Sequence, residues 1–219
     1  MRYDDAVVRL DRPLPSRLPA PPAVLLPIRT DTDEWRPLAR FDASTGRRAA
    51  VLVLIVPDAD DEARIVLTER VDRGGHHSGE VSFPGGSLEP PDAGDVVAAA
   101  LREAEEEVGL DAAAAGVRIV GTLESFWIPV SDFHVTPVLA IAALRPAYRV
   151  QPSEVARILE APIDAFVPDA RIVVVEREVR GWPLRYGAYP IEDLLVWGAT
   201  ARVLGQLGAL LAHPAAGTV

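Results

Sequence analysis

The chain is predicted to fold as an α/β sandwich, an α+β arrangement in which a mixed β-sheet lies between helices. Three observations predict it. The run AAVLVLIV at residues 49–56 is apolar without a break, as a strand buried on both faces requires. Val97, Leu101, Ala104 and Val108 then recur at helical spacing, so a helix follows strands and precedes more of them. A long apolar segment at 191–213 reads as a C-terminal helix.

Taken in order, residues 1–46 form an N-terminal extension packed on or beside the domain that occupies 47–219. Prolines at 13, 15, 19, 21, 22 and 27 interrupt any long helix there, and AVLLPI at 23–28 suits an edge strand or a packed arm. Residues 49–56, the turn PDADDEA and RIVLTE at 64–69 make a hairpin. AAAA at 112–115 reads as a helix end or loop. Two further strands, 117–125 and 133–144, flank a loop at 126–132 that contains Trp127 and Pro129. Residues 154–166 read as a short helix and connector, and 171–179 as a strand. Trp197 and the apolar stripe after it read as core.

Composition excludes several chemistries. At 219 residues, 49% hydrophobic and 25% charged, the chain can bury one substantial core. A formal charge of −10 gives no electrostatic reason to bind nucleic acid or an anionic membrane. There is no cysteine, which removes thiol nucleophiles, thiolate metal sites and disulfides. Every basic residue other than histidine is arginine, so Schiff-base chemistry and a P-loop lysine are absent too. No apolar stretch approaches the roughly 20 residues of a membrane span, and the N-terminus is charged. A cytoplasmic protein is expected; a homodimer is left open.

The chemistry concentrates between residues 85 and 110. Glu103, Glu106 and Glu107 fall at i, i+3 and i+4, on one flank of the predicted helix, where they repel one another unless a cation lies between them. Glu105 projects from the other side. An acidic run alone usually means a solvated face. Oxygen-only ligands favour Mg²⁺, with Mn²⁺ as a substitute, and substrate phosphates complete such a shell.

The segment resembles the box of the Nudix hydrolase family, G x5 E x7 R E U x E E x G U with U aliphatic. Arg102, Glu103, Ala104, Glu105, Glu106, Glu107, Val108, Gly109 and Leu110 match its second half in type. The first half departs: Asp92 stands where the first glutamate belongs, and nine residues rather than seven separate it from Arg102. Either Asp92 or Glu89, or neither, fills that place.

Upstream, LTERVDRGGHHSGEVSFPGG at 67–86 resembles the stretch before the box in coenzyme A pyrophosphatases, matching at Leu67, Thr68, Arg70, His77, Gly79, Glu80, Phe83, Pro84, Gly85 and Gly86. Gly74 and Gly75 replace a Leu-Arg pair of that pattern. FHVTPV at 133–138 and VWGATARVL at 196–204 also look like that subfamily.

The resemblance implies a Nudix-type α/β/α sandwich and hydrolysis of a phosphoanhydride in a nucleoside diphosphate derivative. Coenzyme A or acyl-CoA, cut to 3′,5′-ADP and (acyl-)4′-phosphopantetheine, stands first. The alternatives are another derivative (ADP-ribose, NADH or a dNTP) and a nucleotide-binding module that does not cleave. Mg²⁺ would be held by Glu103, Glu106, Glu107 and the Gly86 carbonyl. Glu106 is the first choice of base, with Glu124, Glu154 and Glu160 as substitutes, and Arg102 would orient the carboxylates. Arg70, Arg73, His77, Glu80 and the loop residue Trp127 would contact substrate; in a lysine-free chain, arginine must hold its phosphates.

Overall fold

The computed structural model describes residues 1–32, 46–71, 80–128, 131–179 and 181–212. In chain order the elements are α1 (Tyr3–Leu10), β1 (Ile28–Arg29), β2 (Arg47–Pro57), β3 (Ala63–Arg70), β4 (Val81–Ser82), β5 (Gly85–Ser87) and α2 (Val96–Val108). There follow β6 (Val117–Thr122), β7 (Phe126–Ile128), β8 (Phe133–Ala142), β9 (Val155–Pro162), β10 (Val173–Val179), β11 (Trp182–Ile191), β12 (Leu194–Val196) and α3 (Gly198–Ala212).

The layers follow from the two faces of β2. Alternate side chains leave a strand on opposite sides, so Ala50, Leu52, Leu54 and Val56 pack with Ala100, Ala104 and Val108 of α2. Ala49, Val53 and Ile55 join the opposite core with Leu204 and Leu207 of α3 and Ala6 and Leu10 of α1. Leu25 lies fully buried in that same cluster.

β2 pairs in parallel with β8, and antiparallel with β3 and β5. β4 and β9 extend the sheet from β3, and β6 and β7 pair with β8. The result is a mixed sheet of eight strands among the described residues. A second sheet sets β11 between β1 and β10, with β12 on β11. α1 is tied to the β2–β3 turn: Tyr3 N–H donates to Asp61 O at 2.9 Å, and Ala63 N–H to Met1 O at 2.9 Å.

The expected hairpin at 49–69 forms, with Ile55 opposite Ile65. Other expectations are corrected. Residues 155–162 are strand β9 rather than helix, paired to β3 from Arg64↔Pro162 to Arg70↔Val155. Val155 and Leu159 are four apart, a spacing compatible with either period, and only the available edge of β3 decided between them.

The C-terminal helix begins at Gly198, not Ile191. A left-handed Glu192 (φ 52°) turns the chain, so Leu194–Val196 pairs back onto β11. AVLLPI divides into a 3₁₀ turn at Ala23–Leu25 and the two-residue β1. Phe126–Ile128, expected in a loop, is β7, because Phe126 buries its ring and pairs with Val135. On α2, Val97 and Leu101 are only half-buried, while Ala99, Ala100 and Ala104 are fully buried.

α3 presses on the segment after β9 through Gly208. A Cβ there would fall inside the van der Waals radius of the Phe166 carbonyl oxygen. Gly208→Ala is therefore expected to cost about 1–3 kcal/mol, as overpacking does, and to lower Tm by roughly 3–10 °C in a thermal melt.

Among the described residues, no helix is long and apolar enough to cross a membrane.

Candidate active site

The glycine pair of β5 positions two carboxylates of α2. A Cβ on Gly86 would lie 2.5 Å from the Glu103 carboxylate carbon, so only glycine lets that side chain lie against the strand. The Gly85 amide donates to Glu107 Oε2 at 3.1 Å. The helix itself is set by its ends: Asp95 accepts from Val97 N–H at 2.8 Å, and Gly109 adopts the left-handed C-cap conformation (φ 68°).

Glu107 is 3% exposed, and burial pushes its carboxyl up to about 7. The Gly85 N–H and Arg70 oppose that rise, while the charges of Glu103 and Glu154 add to it. Glu103 is also raised, first by burial. Arg70 Nη1 stands 3.6 Å from Glu107 Oε1, so this arginine sits beside the carboxylates.

Arg102 organises the other side. Its Nε and Nη2 donate to the two oxygens of Asp92, each at 3.1 Å, and Nη1 reaches Glu103 Oε1 at 3.0 Å and Glu106 Oε1 at 3.3 Å. Asp92 also accepts from Glu89 N–H at 2.7 Å. These bonds, Arg102's foremost, hold its carboxyl below the usual range. Asp92 therefore fills Arg102's fork, and Glu89 does not. The longer loop is absorbed by a 3₁₀ turn at Pro90–Asp92 and a left-handed Ala93 (φ 50°), which return Asp92 to the helix.

Glu106 is 60% exposed. It borders a shallow depression with Glu105 and Arg149, separate from the main cavity. Among the described residues, no three acidic or histidine side chains stand at metal-ligand spacing, since Arg102 draws Glu106 to its own side.

The main cavity, about 570 Å³, has an acidic part formed by Glu103, Glu107 and Glu154, and Glu89 lines it too. Its apolar walls include Phe126, Phe133, Leu184 and Trp197. Arg70, Glu80 and Trp127 also line it, and Trp127 Nε1–H donates to Asp132 at 3.0 Å. Trp197, read as core, is instead a half-buried wall residue stacked on Tyr186 at 4.7 Å between ring centroids, with Arg177 5.1 Å from its own. Most apolar residues after it, Ala201, Val203, Leu204 and Leu207 among them, are buried; the tryptophan, at the strand-to-helix turn, is not. Arg73 and His77 lie outside the described residues. Of the substitute bases only Glu154 is brought beside Glu103 and Glu107: Arg145 engages Glu160 through Nε and Nη2, and Glu124 bonds to Gln206 and Arg202.

The donors fit a hard divalent cation. They are oxygens only, Glu107 is a buried carboxylate that Arg70 approaches no closer than 3.6 Å, and glycine leaves the strand open to Glu103. Sequence reasoning passed over Arg202, which lines the cavity from α3. The signal was the one charged residue of this helix, an arginine in its first turns.

Residues 46–182 match the family model of the NUDIX domain. Nudix hydrolase 15, mitochondrial, of Arabidopsis thaliana is 34% identical over 82% of this chain and 61% of its own length. Nudix hydrolase 22, chloroplastic, of the same plant is 37% identical over 72% and 53%. The chain thus spans only part of these two relatives. A NudL Nudix hydrolase of Yersinia pestis is 32% identical over 77% of this chain and 82% of its own. Among solved structures, the Nudix hydrolase RenU of M. smegmatis aligns with a TM-score of 0.46 at 24% identity, over 54% of this chain and 72% of that one. With a family model matched across more than half of its length, this chain belongs to the Nudix hydrolase family.

Proposed function

We propose that the chain hydrolyses the phosphoanhydride of a nucleoside diphosphate derivative, and that coenzyme A or an acyl-CoA is that substrate. One observation carries the reading: the acidic cluster of Glu103, Glu107 and Glu154 opens into a cavity whose remaining walls are largely apolar. That suits a polyanionic linkage attached to a long, uncharged arm better than a nucleoside triphosphate, which is charged to its end.

Glu103 and Glu107, with the Gly86 carbonyl, would hold Mg²⁺ or Mn²⁺, and Glu106 would complete the set by turning its second oxygen to them while Oε1 stays on Arg102. The ion, when bound, supplies charge neutralisation for the diphosphate and a water of lowered pKa. Arg102 keeps Glu103 and Glu106 oriented from behind, anchored by Asp92. Arg70 offsets the charge of Glu107 and faces the diphosphate. Trp127 and Trp197 border the arm, and Glu80 borders the segment holding Arg73 and His77.

For the base, the geometry favours Glu154 over Glu106. Glu154 is exposed yet lines the cavity, so it can take a proton from a water there and release it to solvent. Glu154→Gln is expected to lower kcat by about 10²–10³-fold with little change in metal dependence. Glu106→Gln should raise the metal concentration for half-maximal rate. If Glu106→Gln alone lowers kcat at saturating metal, the base is Glu106.

The substrate is tested by incubating the protein and Mg²⁺ with coenzyme A, NADH, ADP-ribose, diadenosine polyphosphates and dNTPs, and weighing the products. Release of 3′,5′-ADP from coenzyme A is the expected result. Cleavage of ADP-ribose alone would replace coenzyme A by another derivative, which the Gly74-Gly75 departure leaves open. No cleavage with Mg²⁺ or Mn²⁺ would leave a nucleotide-binding module.

A further inference from the structure

Arg202 is a cavity residue with a hydrogen-bond donor to spare. Its Nη1 is buried and has no hydrogen-bond partner among the described residues. A buried donor left unpaired is costly, and native structures seldom keep one without a use. Nη2 stands 3.4 Å from Glu124 Oε2, a long contact to a carboxylate that is 58% exposed and therefore screened by water.

The guanidinium is nevertheless held in place. Its carbon lies 4.9 Å from the centroid of the Phe126 ring. Glu124 is fixed by Gln206, which accepts from the Glu124 amide at 3.2 Å and donates to its Oε2 at 3.4 Å. Gln206 in turn donates to Pro19 O at 3.2 Å. The chain of contacts thus orients the guanidinium of a residue that lines the same cavity as Glu103 and Glu107.

Among the described lining residues the only other cation is Arg70, and Arg70 answers Glu107. Arg202 instead lies against Glu124 and the Phe126 ring, so the two cations of the lining answer different carboxylates. We propose that Arg202 is a specificity-determining residue that reads a phosphate monoester on the substrate's nucleotide, apart from the diphosphate. A dianion gains enough from a two-donor fork to draw Nη2 away from the screened Glu124 and to turn Nη1, buried and unpaired as the protein stands, towards itself.

This inference rests on the diphosphatase reading, but its test does not. The measurement is calorimetric binding in EDTA of adenosine 3′,5′-bisphosphate, adenosine 2′,5′-bisphosphate and 5′-AMP. The wild type is expected to bind one bisphosphate at least about tenfold more tightly than 5′-AMP. Arg202→Gln should bring that ratio to within about threefold, and Arg202→Lys should keep part of it. Glu124→Gln, which removes the competing carboxylate, should widen the ratio by a few-fold.

A ratio near one in the wild type overturns the proposal, as does an undiminished ratio in Arg202→Gln. Should that variant unfold, Arg202→Lys and Glu124→Gln decide: a ratio that neither moves overturns it. Failure of the diphosphatase reading shows elsewhere, as uncleaved substrates in the wild type, and leaves the binding result standing.

Discussion

Glu107→Gln is expected to make the metal-free protein more stable at pH 8 while abolishing most of its turnover. The Glu107 carboxyl is raised from its ordinary 4.5 to about 7 in the fold, chiefly by burial. A raised carboxyl is protonated more readily in the folded state than in the unfolded one. Its destabilising effect is absent below about 4.5, grows as pH rises through 7, and is complete above it. A carboxyl raised this far costs on the order of 3 kcal/mol at pH 8, where it must ionise while buried.

Glutamine keeps the shape and an oxygen to accept the Gly85 N–H, so the variant should gain about 1–3 kcal/mol at pH 8 and nothing near pH 4.5. Denaturant melts in EDTA across that range measure it. Removing one charge from a site for a divalent cation should lower kcat/KM at least about 100-fold. Metal binding by the wild type should weaken as pH falls below 7, since Glu107 must release its proton first. Glu105→Gln, on the exposed face, is the control. Equal stability of Glu107→Gln and wild type at pH 8 would mean that Glu107 is not desolvated.

Gly86→Ala should inactivate without unfolding. The added methyl would meet the Glu103 carboxylate at 2.5 Å, and what it meets is the free end of a flexible side chain. Glu103 can swing aside, so the melting temperature should stay within a few degrees. Its oxygens cannot then remain where Arg102 Nη1 holds them at 3.0 Å. A displacement of about 1 Å commonly costs a hundredfold in rate, and a comparable loss of kcat is expected here. Pairing it with Glu103→Asp, which withdraws the carboxylate by one methylene, should restore about tenfold. Gly85→Ala makes the contrast, because its Cβ would strike the backbone of Ala50 and Val51, and that variant should fail to fold. Full activity in Gly86→Ala would show that Glu103 acts from another position.

The helix carrying the carboxylates was legible because spacing at i, i+3 and i+4 is a local property, and Asp95 and Gly109 mark its ends within a few residues. The central strand was legible for the same reason: eight apolar residues in a row admit few other readings. Strand β9 was not, since its conformation depends on an edge of β3 about ninety residues away. Nor was the role of Asp92, whose distance along the chain from Arg102 says nothing of a loop that folds back through a 3₁₀ turn.

By itself the sequence determined the kind of chemistry. Lacking cysteine and lysine, it excluded thiol and amine chemistry, and the carboxylates gathered on one helix pointed to oxygen-ligated cations and arginine-bound anions. Only the tertiary structure decided which of those groups share a cavity. It set Glu107 and Glu103 against the glycine strand, left Glu106 with Arg102, brought Glu154 from a distant loop, and turned Arg202 inward from α3. The reason is physical: charge and spacing are carried by each residue, whereas burial, and the partner that each charge finds, depend on every segment packed around it.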